Sequence, residues 1–280
     1  MRTTFSIPRH AILCEVSTMP YSRIELEFRE HYAVLWLNRP NLRNAIDVPM
    51  MEEVYQAIQE VKSNREIRAL VLTGRGEAFC AGGDLKEMQR AEDKYQFLRG
   101  LSKSVNRNTL EFRNLGIPVI GLVNGTAYGA GFCLTEVCDF VIAEENAVFN
   151  AGYVNVGLAP GCGSYHLPRL IGLRRTMELL LLGKDITAQK ALDYGLVNVV
   201  VPRDQLWNEM ESMVKRIVSR PRESLRITKS EIYSSLNAGI HDQIENESQA
   251  IAETGLTDDF KEGLEAFFGK RKPEFGKKLK

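Results

Sequence analysis

The 280-residue sequence predicts an α/β protein with a C-terminal helical region. Three observations predict it. An opening stretch switches from strand to helix periodicity and back. A strand, a glycine-rich turn and a helix then follow one another twice. Beyond residue 202 the apolar residues recur almost only at helical spacing.

The elements follow in order. Ile24–Phe28 alternates apolar and charged side chains, the period of a half-buried strand. Residues 33–37 form a second, more buried strand, with Glu30 and His31 in the turn between them. Asn38-Arg39-Pro40-Asn41 breaks the sheet. Residues 48–61 carry a helical stripe of Met51, Val54, Ala57, Ile58 and Val61, with Asp47 as N-cap and Pro49 in the first turn. Residues 69–73 complete a β-β-α-β unit whose crossover should be right-handed.

A first glycine turn, Phe79-Cys80-Ala81-Gly82-Gly83-Asp84-Leu85, leads into a helix over 86–115, broken in two around 91–94. Residues 118–123 are the next strand. A second turn, Asn124-Gly125-Thr126-Ala127-Tyr128-Gly129-Ala130-Gly131, leads into a helix over 129–137. Short strands follow at 140–143 and 147–149, then the turn Pro160-Gly161-Cys162-Gly163. Helical patterns dominate from Leu173, interrupted at 196–201, and residues 202–270 are almost all helix. The expected division is a loose extension at 1–22, a core at 23–201 holding the ligand site, and a helical oligomerisation region at 202–280.

Composition narrows the function classes. Hydrophobic residues make up 44% and charged residues 26%, as in ordinary globular chains. Acidic and basic residues balance at 36 each, which argues against a global field for nucleic acid or a membrane surface. Basic residues do cluster in Lys270-Arg271-Lys272 and Lys277-Lys278-Leu279-Lys280, either a solvated tail or a local attraction for a phosphorylated ligand. Five cysteines without a C-x-x-C pair, and four scattered histidines, argue against zinc. The odd count fits reduced thiols and a cytoplasmic home. No apolar run approaches the ~20 residues of a membrane span. Residues 1–22 contain Arg2, Arg9, several Ser and Thr and one acid, Glu15. They read as a loose extension, or as a transit peptide that would send the protein to an organelle matrix.

The glycine turns carry the chemistry. Without a Cβ, glycine lets a ligand approach the backbone. The first N–H groups of a helix have no intrahelical partner. Two such turns side by side would aim two N–H groups at one oxygen, which is an oxyanion hole.

The ordered motifs resemble those of the crotonase, or enoyl-CoA hydratase/isomerase, superfamily over roughly residues 22–276. The resemblance rests on Asn38-Arg39-Pro40 with Asn44-Ala45-Ile46, Val71-Leu72-Thr73-Gly74, both glycine turns, Cys138-Asp139, and Gly157-Leu158-Ala159-Pro160-Gly161. Ala266-Phe267 and Lys270-Arg271 extend it to the C-terminus. It implies a spiral of ββα repeats, a homotrimer or dimer of trimers, and a coenzyme A thioester as substrate with no separate cofactor. It implies that the backbone N–H groups of Gly83 and Ala130 hold the thioester oxygen and stabilise an enolate. Gly83, Asp84, Leu85 and Lys86 would flank the thioester and pantetheine, and Ala81 would lie near the adenine. Lys86 reads equally well as a solvated helix lysine. Asp84 reads better as an N-cap than as a catalytic acid.

The sequence departs from its relatives at two positions. Hydration needs a base to activate water and an acid to protonate Cα, and the typical hydratase supplies two glutamates. Cys133 and Tyr153 occupy those positions, and no acid occurs from 149 to 166. With reference pKa values near ~8.5 and ~10, neither is a ready base at neutral pH. Tyr153 would donate a hydrogen bond or merely line the pocket. Cys133 would be an activated thiol or a small apolar filler. Glu136, one turn beyond Cys133, is a further candidate or an ion-paired support. Tyr128, Asn150, Asn155 and Ser164-Tyr165-His166 lie near the implied pocket. The expected function is an acyl-CoA enzyme working through an enolate, by hydration with unusual residues, hydrolysis, C–C cleavage or decarboxylation. The alternative is a non-catalytic acyl-CoA-binding or scaffold protein on the same fold. Neutral charge and the lack of a basic aromatic patch argue against nucleic-acid binding.

Overall fold

The computed structural model describes residues 15–17 and 19–276. The transit-peptide reading falls almost wholly on residues outside these, as does the last basic cluster. The first strand, β1 (Glu15–Val16), pairs antiparallel with β2 (Ile24–Phe28), which pairs antiparallel with β3 (Tyr32–Leu37). Helix α1 (Val48–Ser63) follows; the Asp47 carboxylate caps it by accepting from the Met50 N–H at 2.8 Å. Its buried face is Met50 plus the five residues of the expected stripe.

Each of the next two units contributes one strand to each of two sheets. β4 (Ala69–Gly74) and β5 (Ala78–Cys80) precede α2 (Leu85–Arg90) and α3 (Lys94–Asn114). β6 (Val119–Val123) and β7 (Thr126–Tyr128) precede α4 (Ala130–Glu136). β8 (Phe140–Glu144) and β9 (Val148–Asn150) lead to α5 (Leu167–Ile171), α6 (Leu173–Leu182), β10 (Ile186–Thr187), α7 (Ala188–Tyr194) and β11 (Val199–Val201). The larger sheet has the order β1-β2-β3-β4-β6-β8-β11, parallel from β3 onward; the smaller runs β10-β9-β7-β5. This alternation is a spiral of ββα turns. The fold differs from the sequence expectation at β5 and β7, which were read as turn. Three residues between glycines are too short to show a period of two.

The larger sheet is buried on both faces, as parallel sheets are. Its inner side chains, among them Leu35, Leu70 and Leu72, join α1 and α3 in the main core. Its outer side chains, Val34, Val71, Ile120 and Leu122, pack against Leu206, Met210, Val214 and Ile217 of α8 (Leu206–Val218). Helices α9 (Arg222–Ser235), α10 (Ile240–Thr254) and α11 (Asp258–Phe268) complete the chain and bury few of their own residues. Lys229 fastens α9 to the core: its ammonium donates to Asp139 Oδ2 at 2.6 Å and to the carbonyls of Phe112 and Ile117, each at 3.1 Å. Among the described residues no helix is long and apolar enough to cross a membrane.

Candidate active site

The site is built where the two glycine turns meet. Gly83 forms a lone parallel bridge with Ile46. The Ile46 N–H donates to the Gly82 carbonyl at 2.7 Å, and the Asp84 N–H donates to the Ile46 carbonyl at 2.9 Å. In a parallel pair the flanking residues take those bonds, so the N–H of Gly83 itself points to the opposite side. Ala130 is the first residue of α4, and its N–H is one of the orphans of a helix start. Among the described residues neither amide has a backbone hydrogen-bond partner. A Cβ built on Gly82 would lie 3.5 Å from the Ala130 nitrogen, so the turns are in contact.

The early motifs hold this arrangement. Asn44 is fully buried; its amide donates to the carbonyls of Arg75 and Ala78 at 2.9 and 2.8 Å, and its oxygen accepts from the Arg39 N–H at 2.9 Å. The Arg39 guanidinium pairs with Asp47 at 3.2 Å and Asp84 at 3.1 Å. Asp84 in turn accepts from the N–H groups of Lys86 and Glu87, which makes it the N-cap of α2. Its carboxylate is therefore spent on structure. Lys86 is exposed and lines neither cavity described next.

Gly83 and Ala130 lie in the wall between two adjoining cavities. The inner chamber, about 170 Å³, is closed by Leu98, Leu101 and Val105 of α3 with Met88, Leu158 and Cys162. The outer groove, about 300 Å³, is lined by Ala81, Leu85, Tyr128, Asn150 and Asn155 among others. Tyr153, Met88 and Leu158 border both. Neither wall contains an Asp or Glu.

Tyr153 points its hydroxyl at two thiols, Cys133 Sγ at 3.4 Å and Cys162 Sγ at 3.3 Å. Cys133 is only 3% exposed and lies behind Tyr153 rather than in the wall. Burial above all pushes its thiol well up, the direction that disfavours a thiolate at Cys133. Burial likewise raises the Tyr153 hydroxyl. Cys162 moves the other way: hydrogen bonding with Cys133, helped by Tyr153, outweighs desolvation and lowers its thiol below the ordinary value. Glu136 is 7% exposed and neither oxygen has a hydrogen-bond partner. Burial, then the charge of Cys162, pushes its carboxyl well up, and the Cys133 thiol offsets only part of this. Glu136 is neither ion-paired nor in the cavity wall.

The remaining candidates have structural duties or lie elsewhere. The Asn150 amide donates to the Gly183 carbonyl and Asp185, and the Asn155 amide donates to the same carbonyl. Ser164, Tyr165 and His166 line a neighbouring depression with Arg113 and Asn237, which meets the chamber at Gly161 and Cys162. Tyr165 there donates to Asn237 Oδ1 at 3.0 Å. The residue that sequence reasoning missed is Cys162, taken only as part of a turn. Cys162 lines the chamber because that turn folds back over α4, which no local pattern encodes.

The fold is that of the crotonase superfamily. A family model described as "Enoyl-CoA hydratase/isomerase" matches residues 27–278. The chain is 33% identical over 260 residues to a trans-2-decenoyl-[acyl-carrier-protein] isomerase of Streptococcus mutans, covering 92% of this chain and 99% of that one. It is 34% identical over 261 residues to a short-chain-enoyl-CoA hydratase of Clostridium acetobutylicum, covering 91% and 98%. Among solved structures, an enoyl-CoA hydratase from Bacillus anthracis superposes with a TM-score of 0.86 at 33% identity, covering 91% of this chain and 99% of that one. The chain belongs to the enoyl-CoA hydratase/isomerase family.

Proposed function

We propose that the protein processes short-chain acyl-CoA thioesters through a thioester enolate, without a carboxylate acid–base pair. The observation that carries the reading is the pair of unengaged amides, Gly83 and Ala130, in the wall of one apolar chamber. Preorganised N–H donors in a dry site stabilise charge developing on a carbonyl oxygen, typically by about 3 kcal/mol per donor. The chamber takes the acyl group, and the outer groove past Ala81, Gly83 and Leu85 takes the pantetheine. No separate cofactor is required. A cavity of roughly 150 Å³ accommodates a benzene-sized group, which bounds the acyl chain to a few carbons.

Proton traffic at Cα falls to Tyr153, the one hydroxyl shared by chamber and groove. Decarboxylation fits these walls best among the reactions open to an enolate. Loss of carbon dioxide makes the enolate without a base, and an apolar wall disfavours the ionised ground state. A panel of crotonyl-CoA, butyryl-CoA and methylmalonyl-CoA tests this. Decarboxylation with slow hydration supports it; hydration at ordinary family rates removes it. Binding of all three thioesters with no product from any would favour a non-catalytic acyl-CoA-binding role, which the acid-free walls also suit.

Assembly as a trimer or dimer of trimers belongs to the same reading. Helices α10 and α11 leave Ile240, Ile251, Phe267 and Phe268 each more than 70% exposed, apolar surface that a partner subunit would cover. Light scattering coupled to size-exclusion chromatography checks it; a monomer at micromolar concentration would contradict it.

A further inference from the structure

We propose that Cys162 is a covalent attachment site for α,β-unsaturated thioesters, its sulfur adding to Cβ of a 2-enoyl chain held in the chamber. The proposal rests on the acyl-CoA reading of the site. It stands first on placement. Cys162 lines the same small chamber as Gly83 and Ala130. A thioester whose oxygen sits at those amides must run its acyl chain through a space of about 170 Å³, where every wall is close.

It stands second on how Cys162 is surrounded. The Tyr153 hydroxyl is 3.3 Å from its sulfur and 3.4 Å from that of Cys133. A Cβ on Gly163, the next residue, would be 3.2 Å from Glu136 Oε1 and 3.5 Å from Cys133 Sγ. The turn carrying Cys162 therefore rests on the buried Glu136 carboxyl and on a second thiol. Burial raises the pKa of that carboxyl, which disfavours a competing negative charge behind the sulfur. The Tyr153 hydroxyl is a donor available to a thiolate at Cys162.

The step balances without a co-reactant. The sulfur pair forms a bond to Cβ, and the Cα=Cβ pair moves to give the enolate, whose oxygen lies between the two amides. Tyr153 gives its proton to Cα and takes up the one Cys162 releases. The product is a β-thioether with the thioester intact, and the same enolate allows reversal. Water would make the corresponding addition in a hydratase; here the thiol occupies the wall and no carboxylate is present to activate water.

The test uses acryloyl-CoA, with propionyl-CoA as the saturated control. The full-length protein is incubated with each, quenched in acid, and read by intact mass and peptide mapping. The expected result is one adduct with the mass of the whole thioester, on Cys162, formed with acryloyl-CoA only. Tyr153→Phe should slow its formation on the order of a hundredfold. Cys162→Ser should abolish it while still binding propionyl-CoA by calorimetry. The proposal is overturned if acryloyl-CoA competes with propionyl-CoA for the site yet leaves no adduct, or if the adduct maps to another cysteine. Should propionyl-CoA fail to bind, the acyl-CoA reading falls and takes the attachment site with it. Peptide mapping of the unsubstituted protein decides the matter even if a variant does not fold.

Discussion

Ile46 and Gly83 form a single parallel bridge, and that bridge turns the Gly83 N–H away from Ile46. The two motifs that precede the site in sequence, around Arg39 and Asn44, exist to hold this bridge in place. The Gly83 amide is thus positioned from the preceding segment rather than by its own turn alone.

Gly82 and Gly83 should respond differently to the same substitution. Gly82 has φ of +89°, and a Cβ there would stand 2.7 Å from the Tyr128 carbonyl oxygen. Gly82→Ala is therefore expected to destabilise by about 2–4 kcal/mol and to separate the turns. At Gly83 the close contact is the flexible end of Met88. Gly83→Ala should keep its melting temperature within a few degrees while weakening thioester binding by crowding the chamber. Thermal melts beside butyryl-CoA titrations check the pair; equal destabilisation would contradict it.

Arg39 carries two buried carboxylates. Its guanidinium reaches Asp47 and Asp84, whose side chains are almost wholly buried. Arg39→Ala leaves Asp84 without its cation and should cost about 3–5 kcal/mol. Chemical denaturation measures it. A loss under 1 kcal/mol would mean that the N–H groups of α2 alone satisfy Asp84.

Glu136 should make stability fall with rising pH. Below its ordinary value of 4.5 the carboxyl is protonated in both folded and unfolded chains, and its contribution is whole. Above that value the unfolded chain ionises first, because burial holds the folded pKa up. Stability is then lost by up to about 1.4 kcal/mol per pH unit, until the folded pKa is reached. Glu136→Gln does not titrate, so it should gain on the unsubstituted protein between pH 5 and pH 8. Stability curves that run parallel over that range would show Glu136 ionised in the folded state.

Tyr153→Phe keeps the ring and removes the hydroxyl. Turnover on any thioester the protein accepts should drop on the order of a hundredfold, with KM little changed. Steady-state kinetics separates the two constants. A rise in KM at constant kcat would make Tyr153 a wall residue only.

Much of this was legible in the sequence because it is local. The stripe of α1, the Asp47 cap, the break between α2 and α3 and the strand at Ile24–Phe28 all follow from neighbouring residues. Both glycine turns were legible for the same reason, as was the capping role of Asp84. The second sheet was not, since β5, β7 and β10 are two or three residues long and acquire strand geometry only by pairing with one another and with β9. The thiol pair was also hidden. Cys133 and Cys162 are 29 positions apart, and they share Tyr153 only because the Gly161–Gly163 turn folds over α4.

The most direct measurement is a crystal structure with butyryl-CoA bound. The thioester oxygen should lie about 2.7–3.1 Å from the nitrogens of both Gly83 and Ala130, with the acyl chain toward Cys162. An oxygen bound to other donors, or a thioester seated outside the wall these two amides share, would contradict the account.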